Sequence, residues 1–288
     1  MPNSGHELVS WTADQWRSVQ EGVEKALAGT AKCRQVIPKG SDQIGAKSVV
    51  VPVIAAGAPI SYGADMIVSP VQVFSDANLD DQHAAEMADI LRLIEVAAAQ
   101  LGVYEDQEII QAAAGAVAPP APAGRAIRNA GLAAARVGVM AAGAAAAVNI
   151  AAAAGNPTGA ELYTAITNAI ATLEGAGRPG RFGLLVHNTL MATLRQPRVP
   201  GGVPLIQEVE SLIGSNEIVG TSALDGTFAA GAVCGALLRL EPAALDLVHT
   251  QLPTVTVLGR AAGATMLRVE EEIVLRVLDP PAIQAIAY

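Results

Sequence analysis

EMADILRLIEVAAAQLGVYEDQEII, residues 86–110, sets Met87, Ile90, Leu91, Ile94, Ala98 and Leu101 on one apolar stripe, with Glu86, Asp89, Arg92 and Glu95 elsewhere on the surface. That period predicts a single amphipathic helix. Read from Asp80, with Asp80 and Asp81 as the carboxylates that the helix dipole favours at its start, it runs about 30 residues and about 45 Å. A helix of that length is expected to be a spine on which other elements pack.

Upstream, TADQ is a capping box with Thr12 as N-cap and Gln15 three residues on. It opens a helix over Thr12 to about Ala28, with Trp16, Val19, Val23 and Leu27 on one stripe. From Pro38 to Ser69 helical periodicity is absent. Short β-rich runs, Val49 to Ile54 and Met66 to Val68, alternate with Gly and Pro. An extended hairpin or long loop is expected there, and long excursions of that sort are often functional.

Downstream, AVAPPAPAGR (Ala116 to Arg125) cannot continue a helix. The alanine-rich run Asn129 to Asn156 follows, with one charge, Arg136. Its length suits a membrane, but alanine is close to neutral for insertion, and the run holds few Leu, Ile, Phe or Val. One or two packed helices are expected, and no membrane partner. An alternating stretch comes next. Helices are predicted at Gly159–Leu173, Thr189–Arg195 and Leu205–Ile213, with strands at Phe182–Asn188, EIVGT and GAVCGALLRL. The chain closes in β structure, with Leu267, Val269, Ile273, Leu275 and Val277 keeping to odd positions. Glu270 and Glu272 then oppose Glu271, so the three are read as a solvated face or a salt-bridged subunit contact.

A net charge of -9 and the lack of a basic run argue against a nucleic-acid partner. Aromatics are only 3%, so the core must be built from Ala, Val, Leu and Ile. Cys33 and Cys234 stand in no metal spacing and suggest a reduced, cytoplasmic compartment. The opening MPNSGHELVSWTADQW has no basic region followed by an apolar one, so no secretory signal is expected. His6, His83, His187 and His249 are scattered, and the phosphate-binding and nucleophile motifs are missing. No catalytic residue, cofactor or metal is expected.

The order of elements, with particular residues, resembles the encapsulins, bacterial shell proteins that share the α+β, HK97-like fold of tailed-phage major capsid proteins. Four segments carry the likeness. LVSWTADQWRSVQEGVEKALAGTAKCRQVI has a Trp near a helix start, a small-residue turn and a basic position, Arg34. PVQVFSDANLDDQ leads into the long helix and its acidic YEDQEII close. GRFGLLVHNTLMATL, a Pro/Gly loop and PLIQEVESLIGSNEIVGT follow in the family's order. EEEIVLRVLDPPAIQAI resembles the family's ending. The alanine-rich stretch departs from the pattern.

The resemblance implies an N-terminal arm and helix at 1–37 and an extended loop at 38–76 that reaches over a neighbour. It implies a peripheral domain at 77–124 and 251–288, and an axial domain at 125–250. The loop Arg195, Gln196, Pro197, Arg198, Val199, Pro200, Gly201 and Gly202 would line a five-fold pore, with Arg195 and Arg198 setting a positive ring. Trp16, Val19 and Val23 would wall a groove for the terminal targeting peptide of a cargo protein, of the iron-oxidising ferritin-like or peroxidase class. The partners are then copies of the chain itself, sixty or a multiple, and the cargo. Two other readings stay open: a phage or prophage major capsid protein, and an α/β enzyme with no recognisable motif.

Overall fold

Thr12 caps the first helix in both directions. Its hydroxyl accepts from Gln15 N at 3.3 Å, and Gln15 Oε1 accepts from Thr12 N at 2.7 Å. The structure, a computed structural model, describes residues 5–52, 54–55, 61–62, 65–80, 83–84, 86–111, 123–127, 139, 147–150, 156–199, 201–224, 232–261 and 263–288. In chain order these hold α1 (Ala13–Thr30), β1 (Val49–Val51), β2 (Ile54–Ala55), β3 (Ser61–Tyr62), β4 (Met66–Val68), β5 (Val71–Asp80), α2 (Met87–Gln111), β6 (Ala123–Ile127) and β7 (Val148–Asn149). Then come α3 (Gly159–Gly175), β8 (Phe182–His187), α4 (Asn188–Leu194), α5 (Leu205–Ile213), β9 (Ile218–Thr221), β10 (Val233–Arg239), β11 (Leu245–Ala261), β12 (Ala264–Val277) and β13 (Ile283–Ala287).

The spine is shorter than its sequence suggests. Asp80 closes β5, which pairs with β12 along its whole length, from Val71 opposite Ile273 to Asp80 opposite Ala264. Strand pairing therefore claims Asp80, the residue expected to open the helix. Asp80 instead caps a turn, its Oδ1 accepting from His83 N at 2.9 Å. The helix α2 keeps 25 residues, about 37 Å.

Two sheets organise the described residues. The first has the order β11-β12-β5-β6, all antiparallel. Alternation along β12 sends Leu267, Val269 and Ile273 into a core shared with Val23 of α1 and Ile90, Ile94 and Leu101 of α2. The reverse face carries Val248 and Val274, against which the β1–β4 ribbon packs Val49, Val51 and Val68. The second sheet has the order β7-β13-β10-β8-β9, with β8–β9 and β13–β7 parallel. Phe182, Leu184 and Val186 of β8 face α3, α4 and α5, whereas Leu185 joins the first core. Strand β8 is thus covered on both faces, which is why it reads as a continuous apolar run.

Sheet membership cuts across the expected boundaries. Residues 71–76 and 245–250 belong to the first sheet, and 283–287 to the second. The alanine-rich run lies mostly outside the described residues. Its described part includes β7, which pairs with β13, so extended structure stands where helix was expected. Among the described residues no helix is long and apolar enough to cross a membrane.

Helices α1 and α2 approach closely at Gly102. A Cβ there would sit 2.5 Å from Thr30 Oγ1 and 2.8 Å from Ala31 N. The second of these is backbone and cannot swing aside. Gly102→Leu is expected to destabilise the subunit by about 1–3 kcal/mol through overpacking, read as a lower denaturant midpoint. An unchanged midpoint would mean that the two helices have room to part.

Candidate functional site

Three acids, Glu105, Asp106 and Glu108, close the spine helix. Carboxylates at a helix C-terminus oppose its dipole, and all three are buried. Partners from elsewhere in the chain account for Glu105 and Asp106. Asp106 accepts from Cys33 N at 2.8 Å, Lys32 N at 3.2 Å and Thr221 Oγ1 at 3.1 Å. It thereby caps the 3-10 turn Cys33–Gln35 and fastens the end of β9. Burial pushes its carboxyl above the ordinary range, against the downward pull of those hydrogen bonds.

That turn delivers Arg34. Its Nε lies 2.7 and 2.8 Å from the two oxygens of Glu105, and its Nη2 donates to Glu271 of β12. Both carboxylates are fully buried. Burial, then the Glu271 charge, raises Glu105 well above the usual carboxylate range, while Arg34 pulls it back. Burial likewise raises Glu271, with Arg34 opposing. Burial works against the Arg34 charge, but the two carboxylates outweigh it and hold the guanidinium protonated. The guanidinium thus faces two carboxyl groups whose ionisation burial opposes.

The three consecutive glutamates of β12 thus do not form a solvated face, the first of the two roles their pattern offered. Glu271 shares the odd-numbered core face with Leu267, Val269 and Ile273. Glu272 is buried and accepts from Thr250 Oγ1 at 3.1 Å. Glu270 accepts from Gln72 Nε2 at 2.6 Å and Thr256 Oγ1 at 2.9 Å. Two sequence signals pointed to the cluster: acids adjoining Ile109 and Ile110 at a helix end, and a Glu in register with core positions. Neither names Arg34 as the partner, because 71 and 237 residues separate it from the two acids.

The loop between α4 and α5 is closed by an antiparallel bridge between Pro197 and Pro204 and by Leu205 N donating to Gln196 O at 2.9 Å. Gly201 has φ of 76°, and Gly202 N donates to Val199 O at 3.0 Å, so the tip turns tightly. Pro200 lies outside the described residues. Arg195 and Gln196 are exposed. Arg198 leans back on the body, with Nη2 3.2 Å from Glu208 Oε2 and its guanidinium 4.5 Å from the Tyr163 ring centre. Glu208 offsets its charge, so a positive ring would rest on Arg195, and the tip exposes Val199 and Val203.

The three groove residues divide. Val19 and Val23 are 1% and 0% exposed in the core beneath α1, so they are closed to a peptide. The helical stripe on which they lie faces the chain's own spine. Trp16 is half-buried beside Trp11, ring centres 4.7 Å apart, and retains an accessible face. Among the described residues no group of three His, Cys, Asp or Glu could hold a metal ion. His187 caps α4, its Nδ1 accepting from Thr189 N at 3.2 Å.

Removing Arg34 leaves buried carboxylates uncompensated. Arg34→Met is expected to cost about 3–5 kcal/mol near pH 7. The sign with pH follows from the raised carboxyls: a folded-state pKa above the unfolded value gives stability that is full below the unfolded pKa and lost as pH rises. The variant should therefore recover towards pH 5 and weaken towards pH 8 in thermal melts. A loss that does not change with pH would contradict the cluster's charge balance.

The comparisons agree on the architecture. The virus-like particle of Pyrococcus furiosus is similar over 94% of this chain and 98% of its own, at a TM-score of 0.68 and 15% identity. The Mycobacterium phage Bobi structure matches over 90% of each chain, with a TM-score of 0.59 and 15% identity. The holo-SrpI encapsulin complex of Synechococcus elongatus covers 89% of this chain and 86% of its own, at 0.52 and 14%. At such identities the likeness shows the HK97-like fold alone. No curated protein sequence matches the chain. A family model described as "Encapsulating protein for peroxidase" matches residues 123–273. That is more than half of the chain, and it takes in most of β12, with Glu271, together with the loop at 195–202: the protein belongs to the encapsulin family.

Proposed function

We propose that the chain assembles into a closed icosahedral shell, of sixty copies or a multiple, enclosing a cargo enzyme held by a terminal targeting peptide. The observation that carries this reading is the family match over residues 123–273, joined to a fold shared with shell proteins along most of the chain. The shell has no catalytic role of its own and acts in the cytoplasm, where the buried cysteines Cys33 and Cys234, which form no disulfide, stay reduced. The cargo is an iron-oxidising ferritin-like enzyme or a peroxidase, the second in keeping with the family's description.

Three surfaces serve this function. The β1–β4 ribbon, part of the extended loop at 38–76, leaves Val50 and its cross-strand partner Ile67 about half exposed, apolar surface suited to a neighbouring copy. The loop 195–202 surrounds a five-fold opening, where each side chain is repeated five times. Trp16, with Trp11, offers an apolar edge to the cargo peptide. The phage-capsid reading shares the fold, but the family match favours the encapsulin.

The test is assembly. The purified protein should elute as a megadalton particle and appear as closed shells by electron microscopy. Replacing residues 53–64 with a short glycine link should leave subunits folded, since 38–52 and 65–68 keep their contacts with β11 and β12, yet unable to close. A small oligomer from the unaltered chain would overturn the shell. Normal shells from the shortened variant would overturn the role of the loop.

A further inference from the structure

β11 places a histidine in the interior of the fold. His249 is 5% exposed. Its Nδ1 lies 3.6 Å from Asp42 Oδ1 and its Nε2 lies 4.0 Å from Glu271 Oε2. Neither nitrogen reaches a hydrogen-bond partner among the described residues. The ring borders a cavity of about 170 Å³ lined by Arg34, Ile37, Lys39, Leu247, Leu252 and Pro253.

The strap from Pro38 to Ala46 covers this position. Backbone bonds stitch it to β11: Leu247 N to Pro38 O at 2.9 Å, Gly40 N to Leu247 O at 2.8 Å, Gln43 N to His249 O at 2.9 Å and Gly45 N to Thr250 O at 2.8 Å. The strap is the root of the segment that continues into the β1–β4 ribbon. We propose that His249 makes this strap an acid-released clasp: protonation of the buried imidazole favours the strap lifting from β11 to bring the ring to water.

The surrounding charges set the direction. The strap brings Asp42 and Lys39, which pair with each other at 3.0 Å. The 3-10 turn brings Arg34, β12 brings Glu271 and the buried Glu272, and α2 brings Glu105 through Arg34. Asp246, on β11 itself, is occupied by Arg276. Burial, then the Arg34 charge, holds His249 down from 6.5 to about 4, while Asp42 pulls weakly upward. A histidine lowered in the closed form gives stability that is complete above 6.5 and lost as pH falls towards 4. Opening of the strap should rise roughly 50-fold between pH 7 and pH 4.5.

The other groups do not mimic this. Glu105, Glu271 and Asp106 are raised, so acid favours their buried state, the opposite sign. Burial pushes Asp42 up, but Lys39 and His249 outweigh it and hold it below 3.8, so its own contribution falls away only in stronger acid.

Amide exchange of the full-length protein in its native assembly, followed by mass spectrometry and corrected for intrinsic rates, reads the strap directly. The wild type should lose protection across residues 38–46 by roughly 50-fold from pH 7 to 4.5, and His249→Gln should change only a few-fold. Equal acid release in both proteins would overturn the proposal. Exchange of the imidazole C2 proton in the wild type gives a second reading that does not depend on the variant folding. A His249 midpoint far below 6.5 supports the clasp, and one at or above 6.5 overturns it.

Discussion

A guanidinium wedged between two buried carboxylates fixes how this chain folds onto itself. Arg34 follows the first helix, Glu105 lies in the last two turns of the spine and Glu271 lies within the long closing strand. Bringing the three together takes charge out of water, which is costly, and the cost is offset only when all partners meet. A slipped α1, a rotated spine or a one-residue shift of β12 would each strand a buried charge. In β12 such a shift would turn Glu271 to the opposite face and bring Glu270 and Glu272 into the core. The cluster therefore acts less as a source of stability than as a selector of one arrangement. Asp106 extends the same logic to β9 through Thr221 and to the Cys33 turn through its backbone N–H.

A selector of this kind suits a shell subunit. A closed assembly repeats every error of its protomer around each symmetry axis, so the mutual placement of spine, strands and loop root must be narrow. The root of the extended segment leaves the core beside Arg34 and is stitched to β11 before its ribbon rests on Val248 and Val274. The second sheet is set against the same core by Leu185, Ala236 and Ile283, while its other face is covered by α3, α4 and α5. The loop before α5 is braced by its proline bridge and by Arg198 on Glu208 and Tyr163. Each surface assigned to assembly thus projects from an element anchored in the interior.

Much of this was legible because it is local. The capping box and periodic stripe of α1, the bounds of α5 and the alternation of β12 follow from neighbours a few residues apart. What was not legible depends on distant partners. Asp80 carries a strong helix-start signal, yet β12 pairs with it and extends β5. Glu271 sits in a run that reads as surface charge until Arg34 is placed 237 residues away in sequence. Val19 and Val23 were assigned to a groove because an amphipathic stripe does not say which neighbour covers it, and the answer was the chain's own spine. The order of elements, checked against a family pattern, conveyed the fold better than any single motif.

Exchanging the whole cluster for neutral groups tests this account most directly. Arg34→Met alone should lower the melting temperature sharply. The triple variant Arg34→Met, Glu105→Gln, Glu271→Leu should regain most of that loss, because no buried charge is left without a partner. A triple variant at least as damaged as the sum of its three single substitutions would contradict the claim that charge balance among these residues holds the subunit together.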